Sequence, residues 1–177
     1  MISPKRILVF VFLLPLMGWA VPAEATPPDL RTPSPVIYLA DNLDEVDKLG
    51  WCIDTVGRGL SDRLHAHSCK PRGGDVQFKF DAASGRIQSA TFDNLCAEIL
   101  GEPKAGAKLG LLTCGDKGAQ RFAYEASGSE FRVKSDASLC LAVAPTSRQA
   151  GPFMSRDLVL AACAGTETRY KAWVIKP

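Results

Sequence analysis

From Val36 onward the chain places apolar side chains at alternate positions in short runs separated by turn-forming residues. Leu64 and Ala66, Leu109 and Leu111, and Leu158 and Leu160 each bracket one intervening position and lead into a cysteine. A period of two is that of a strand burying one face. After each of these cysteines comes a turn rich in Gly, Asp and Lys, and then an aromatic run. Those runs are Phe78-Lys79-Phe80, Phe122-Ala123-Tyr124 and Ala172-Trp173-Val174. Ser84-Gly85-Arg86-Ile87 and Ser127-Gly128-Ser129-Glu130-Phe131 then read as turns entering a further strand. No stretch sustains a helical period, so the pattern predicts an all-β barrel or sandwich.

The pattern also repeats. Cys52, Cys96 and Cys140 are 44 residues apart, as are Phe78 and Phe122, and Ile87 and Phe131. The second cysteines, Cys69, Cys114 and Cys163, follow at steps of 45 and 49. Ser147–Pro152 absorbs the drift in the last unit and reads as a loop insertion. Self-similarity at a fixed period marks a repeat architecture. Three units of about four strands each predict a closed barrel, because closure removes exposed sheet edges. Phe78, Phe122 and Trp173 are expected to fill its core.

The N-terminal segment differs in kind. Lys5 and Arg6 precede an uncharged apolar run, Ile7–Trp19, and Ala23-Glu24-Ala25 follows. The run is short of the ~20 residues that span a bilayer. Residues 1–25 therefore read as a signal peptide cleaved before Thr26. Thr26–Pro35 is proline-rich without apolar periodicity and reads as a linker, leaving residues 36–177 as the domain. Removing Lys5, Arg6 and Glu24 from 21 basic and 19 acidic residues leaves 19 against 18. This near-neutral balance shows no basic stripe of the kind that phosphate contacts need, so nucleic acid is not an expected partner. No second segment is apolar enough to span a membrane. A secreted or periplasmic location makes six cysteines a disulfide framework first and a metal site second.

The repeat resembles that of the ricin-type β-trefoil lectins, over roughly Val36 to Pro177. Their Cys-Leu-Asp-like openings correspond to Cys52-Ile53-Asp54, Cys96-Ala97-Glu98 and Cys140-Leu141-Ala142. Their Gln-x-Trp core motif corresponds to Val76-Gln77-Phe78, Gln120-Arg121-Phe122 and Lys171-Ala172-Trp173. Only the second keeps the glutamine and only the third the tryptophan. The resemblance implies a disulfide-stapled β-trefoil, and the repeated cysteine spacing predicts bridges Cys52–Cys69, Cys96–Cys114 and Cys140–Cys163.

The resemblance also implies one shallow sugar site per unit, combining a carboxylate that accepts sugar hydroxyls with a ring that stacks on the sugar. Carried over position by position, the first unit supplies Asp54, His67 and Asp75, a complete set. In the second unit Glu98 stands with Leu112 and Ala119, an acid without a ring. The third has Ala142, Ala161 and Tyr170, with no acid. The expected ligand is thus a carbohydrate or glycoconjugate, held in the first unit.

His65, His67 and Cys69 share one strand face at alternate positions, but Cys69 has a periodic partner in Cys52 and no fourth ligand is near. The histidines read as solvent-facing strand residues, and neither a metal nor another cofactor is expected. No serine or cysteine lies in a recognisable nucleophile motif, so the chain reads as a binding module and not an enzyme. Two alternatives stand beside this reading. One is a trefoil with decayed sugar sites that binds another protein as inhibitor or subunit. The other, weaker, is a glycoside hydrolase whose paired carboxylates only a fold would reveal.

Overall fold

The computed structural model describes residues 25–43 and 47–177. The expected signal peptide lies outside the described residues, apart from Ala25. Among the described residues no helix is long and apolar enough to cross a membrane. The described residues form an all-β fold, with twelve strands and two single-turn 3-10 segments among them.

The strands form an eight-stranded and a four-stranded sheet, in which three short antiparallel pairs recur. β1 (Val36–Leu39) pairs with β12 (Trp173–Lys176), β4 (Phe78–Asp81) with β5 (Arg86–Ser89), and β8 (Phe122–Glu125) with β9 (Glu130–Val133). Three hairpins sit between these pairs: β2 (Trp51–Thr55) with β3 (Leu64–Ser68), β6 (Leu95–Ile99) with β7 (Leu109–Thr113), and β10 (Asp136–Ala150) with β11 (Phe153–Ala162). A disulfide closes each hairpin, joining Cys52–Cys69, Cys96–Cys114 and Cys140–Cys163. The alternating residues Leu64, Ala66, Leu109, Leu111, Leu158 and Leu160 all enter one core with Phe78, Phe122 and Trp173, which are fully buried.

Turn chemistry fixes how the short pairs meet. Gly85 adopts φ +71°, and its carbonyl accepts the Phe122 N–H at 2.7 Å. A Cβ there would lie 2.6 Å from the Phe122 carbonyl oxygen, so no side chain fits without moving backbone. The related contact on the next strand pair is donated by Trp173 N–H to the Ser129 carbonyl at 2.6 Å.

Three expectations from sequence need correction. First, Ser147–Pro152 is not a loop. Ser147 to Ala150 pair with Arg156 to Phe153, so the extra residues lengthen β10 and β11 as a hairpin arm. Only Gly151 (φ +63°) and Pro152 turn, an arrangement that suits a tight hairpin whose first central residue needs positive φ. Second, that arm crosses to β3, where Ser155 pairs with His67 and Arg156 with Ala66. The histidines are therefore not solvent-facing: His65 and His67 are both only 6% exposed. Third, residues 26–35, expected as a linker, lie against the domain. Thr32 is buried and donates its hydroxyl to the Lys70 carbonyl, and Gln77 donates to the Ser34 carbonyl. Leu30 packs on the small apolar cluster of Val36, Val76 and the Cys52–Cys69 bridge, an apolar anchor within an otherwise linker-like composition.

Candidate functional site

The β2/β3 hairpin carries the expected site. Asp54 on β2 faces His65 across the ladder, and His67 follows two residues on, so the pleat sets all three on one side. Lys70, just past the bridge at Cys69, reaches back to them. Its Nζ lies 2.8 Å from Asp54 Oδ2 and 2.7 Å from Asp75 Oδ1. One ammonium thus ties together the two carboxylates that were expected to share a site. Asp54 Oδ2 is also 3.6 Å from His67 Nδ1 and 3.8 Å from His65 Nε2. Asp54 Oδ1 accepts the Thr55 N–H at 2.7 Å, and Asp75 Oδ2 accepts the Gly59 N–H at 3.1 Å.

His65, His67 and Lys70 of this cluster border a cleft of about 530 Å³, while Asp75, like Asp54, stands behind them and is not part of its lining. Arg58, His65, His67 and Lys70 line it from the β2/β3 side, and Pro152 and Phe153 from the tip of the β10/β11 arm. Asp54 itself does not reach the opening, being fully buried. Its carboxylate acts on the cleft through Lys70 and the histidines, rather than as the open acceptor expected from sequence. Lys70, Arg58 and Phe153 are the members that sequence reasoning missed.

Electrostatics follow from burial. Burial opposes the charge on Lys70, but its hydrogen bonds to Asp54 and Asp75 outweigh that cost and hold the ammonium above its ordinary 10.5. For His67 burial wins and depresses the pKa below 6.5, against the opposing pull of its bond to the Ser68 carbonyl and of Asp54. His67 Nδ1 lies 3.0 Å from that carbonyl oxygen, which can only accept. Nδ1 therefore carries the hydrogen in the neutral ring, leaving Nε2 as an acceptor.

A depressed histidine has a stability consequence. The unfolded chain takes up a proton near 6.5 while folded His67 resists it, so stability falls as pH drops below 6.5. The slope from this one group is at most about 1.4 kcal/mol per pH unit. Urea midpoints measured from pH 8 to pH 5 should decline through this window in the parent, and His67→Gln should flatten the decline. Equal declines in both proteins would rule out His67 as the source.

The other expected positions are placed differently. Glu98 Oε2 accepts from Lys117 Nζ at 2.9 Å and from Gln120 Nε2 at 2.7 Å. Buried Gln120 also bonds the Thr113 carbonyl and the Gly115 N–H, so Glu98 serves a structural amide network. Ala142, Ala161 and Tyr170 do meet, in a smaller cleft of about 330 Å³ whose lining also includes Glu167. The Cys52–Cys69 bond removes Cys69 from any metal set with His65 and His67. Glu130, Cys140 and Cys163 also offer atoms within 4.8 Å of one another, but the two sulfurs are bonded to each other.

The fold and the paired hairpins have counterparts among known proteins. The β-trefoil lectin of the Vibrio vulnificus hemolysin/cytolysin, solved with N-acetyl-D-lactosamine bound, is 14% identical. The alignment covers 80% of this chain and 92% of that one, with a TM-score of 0.54. The C-half of the earthworm R-type lectin in complex with GalNAc is 12% identical over 81% of this chain and 98% of its own, also at 0.54. GalNAc-T7 with UDP, GalNAc and Mn²⁺ aligns at 15% identity and a TM-score of 0.53, over 85% of this chain but only 23% of that enzyme. No curated protein sequence matches the chain significantly. Residues 83–177 match the ricin-type beta-trefoil lectin domain family, more than half of the sequence, and the chain belongs to that family.

Proposed function

We propose that this protein is an exported carbohydrate-binding module whose sugar site is the cleft between the β2/β3 hairpin and the tip of the β10/β11 arm. The observation that carries this reading is the cluster in which Lys70 pairs with Asp54 and Asp75 and Asp54 lies beside His67, with Lys70 and His67 lining an open cleft. Lys70 keeps a hydrogen-bond donor for a sugar hydroxyl, and the neutral ring of His67 keeps an acceptor at Nε2. Membership of a lectin family and the sugars bound by the Vibrio and earthworm proteins support a carbohydrate ligand. The signal-like segment 1–25 and the three disulfides support export. GalNAc-T7 shares this fold over only 23% of its own length, so the activity of that whole protein is not carried to this chain.

Binding of the mature protein, Thr26–Pro177, to a glycan array tests the reading directly. Asp54→Asn preserves shape and removes the charge that holds Lys70 in place. Its affinity for the best array ligand should fall tenfold to a hundredfold, the equivalent of ~1.5–3 kcal/mol for a hydrogen bond to a charged group. If Glu98→Gln weakens binding while Asp54→Asn does not, the site lies on the β6/β7 hairpin instead. If the array shows no binding, the lectin reading fails and the protein-binding alternative takes its place.

A further inference from the structure

We propose that Phe153, delivered by the lengthened β10/β11 arm, is the stacking surface of this cleft, and that the cleft takes an uncharged sugar ring. The inference rests on the reading of the cleft as a sugar site, and it moves the recognition role from His67 to a residue of a different hairpin.

Three observations carry it. The first is access. His67 was the ring expected to stack, but its side chain is only 8% exposed, covered by the arm that pairs along β3. Phe153 is half-buried, lines the cleft, and packs edge-on against His67 with centroids 5.5 Å apart and planes at 66°. A T-shaped contact takes up at most one face of the phenyl ring and leaves the other for a partner, and aromatic faces suit the C–H surface of a pyranose.

The second is placement. The arm is tied to the β2/β3 hairpin at the residues that follow Phe153. Met154 donates its N–H to Ser68 Oγ at 3.0 Å, and Ser155 and Arg156 pair with His67 and Ala66. The Arg156 guanidinium lies 4.5 Å from the Trp51 ring centroid and donates to the Ala144 carbonyl at 3.1 Å, bracing the base of the arm. The Phe153 backbone is thus fixed adjacent to a hydrogen-bonded residue. The lengthening that breaks the repeat (a sequence separation of 23 from Cys140 to Cys163, against 17 and 18 elsewhere) brings this ring to the site.

The third is charge. The carboxylates of Asp54 and Asp75 both pair with Lys70, and Arg58 lines the cleft beside it. Asp75 also accepts the N–H of Gly59, the neighbour of Arg58, so the loop bearing that arginine is tied to the same network. Formal charges among these four groups cancel. A charged ligand would gain little from such a cleft and would disturb a paired floor.

The test uses the full mature chain and its best neutral ligand from a glycan array. Phe153→Ala should lower affinity about tenfold, the scale of a lost aromatic face. Phe153→Trp should retain binding and acquire a ligand-dependent fluorescence shift. Trp51 and Trp173 are at most 1% exposed, so the parent signal should change little. Acidic derivatives of the same sugar should bind no tighter than the neutral form. Parent-like affinity in Phe153→Ala, alongside loss in Asp54→Asn, would overturn the Phe153 assignment and leave the sugar site standing. A strong preference for the acidic glycan would overturn the uncharged ligand. Absence of glycan binding by the parent would overturn the inference and the sugar-site reading together.

Discussion

Lys171→Met is expected to destabilise the protein by about 3–5 kcal/mol, the scale of breaking a buried ion pair by removing one partner. Lys171 occupies the position that holds Gln120 in the preceding motif, and like that glutamine it bonds a carbonyl near the second cysteine of its hairpin. The lysine brings a charge with it. Its Nζ lies 2.7 Å from the Cys163 oxygen and 2.6 Å from Glu130 Oε1, and both residues are less than a tenth exposed. Burial raises the Glu130 pKa, but the bonds from Lys171 and Arg132 outweigh it and hold the carboxyl below 4.5. The pair therefore supports the fold above pH 4.5 and ceases to do so as pH falls through the depressed value. Methionine would fill the lysine's space and leave Glu130 with the half-exposed Arg132 as its remaining cation. Guanidinium denaturation at pH 7 measures the loss. Pairing Lys171→Met with Glu130→Leu should restore most of it, because the uncompensated charge goes as well. A single-variant loss under 1 kcal/mol would mean that solvent reaches Glu130 and the pair is not buried in effect.

That substitution of Lys for Gln also marks the limit of what the sequence makes legible. Strand positions are easy to read, because alternation at Leu64 and Ala66, or Leu158 and Leu160, reports directly on which face is buried. The cysteine pairing is equally legible, since the same spacing recurs on hairpins that close locally. A lysine in a core motif reads as drift until its partner Glu130, 41 residues earlier, is brought against it.

The candidate site shows the same division. Asp54, His67 and Asp75 could be singled out because the resemblance to ricin-type lectins points to positions set by the two cysteines and the core-motif aromatic of each unit. Lys70 could have been found by the same rule, since it directly follows Cys69 where Gly115 and Ala164 follow the other second cysteines. Phe153 could not. Its insertion is visible in the spacing, but where a lengthened hairpin lands depends on the arrangement of strands from distant parts of the chain. The burial of His65 and His67 is hidden for the same reason: period-two alternation tells which residues share a face, not whether another strand lies across it. Leu30 and Thr32 are a smaller case, two anchoring residues among prolines whose partners at Val76 and Lys70 lie far along the chain.

Removing the Cys52–Cys69 bridge should separate stability from site geometry. The double variant Cys52→Ala/Cys69→Ala opens a loop of 17 residues, and Cys96→Ala/Cys114→Ala one of 18. Loops of that size make each bridge worth about 3 kcal/mol by chain entropy, so the two double variants should lose nearly equal stability. For a domain of this size that is a fall of roughly 6–12 °C in Tm. Their effects on binding should differ. Cys52 and Cys69 lie two residues and one residue from Asp54 and Lys70, whose 2.8 Å contact spans the two ends that the bridge holds together. Cys96 and Cys114 hold a comparable pair, Glu98 with Lys117 at 2.9 Å, but neither of those residues lines the cleft. At a temperature where both variants remain folded by circular dichroism, the first should bind the array ligand several-fold more weakly than the parent, and the second should match the parent. Equal affinities in all three proteins would mean that the strand ladder alone, through Asp54 opposite His65 and Cys52 opposite His67, holds the cleft in shape.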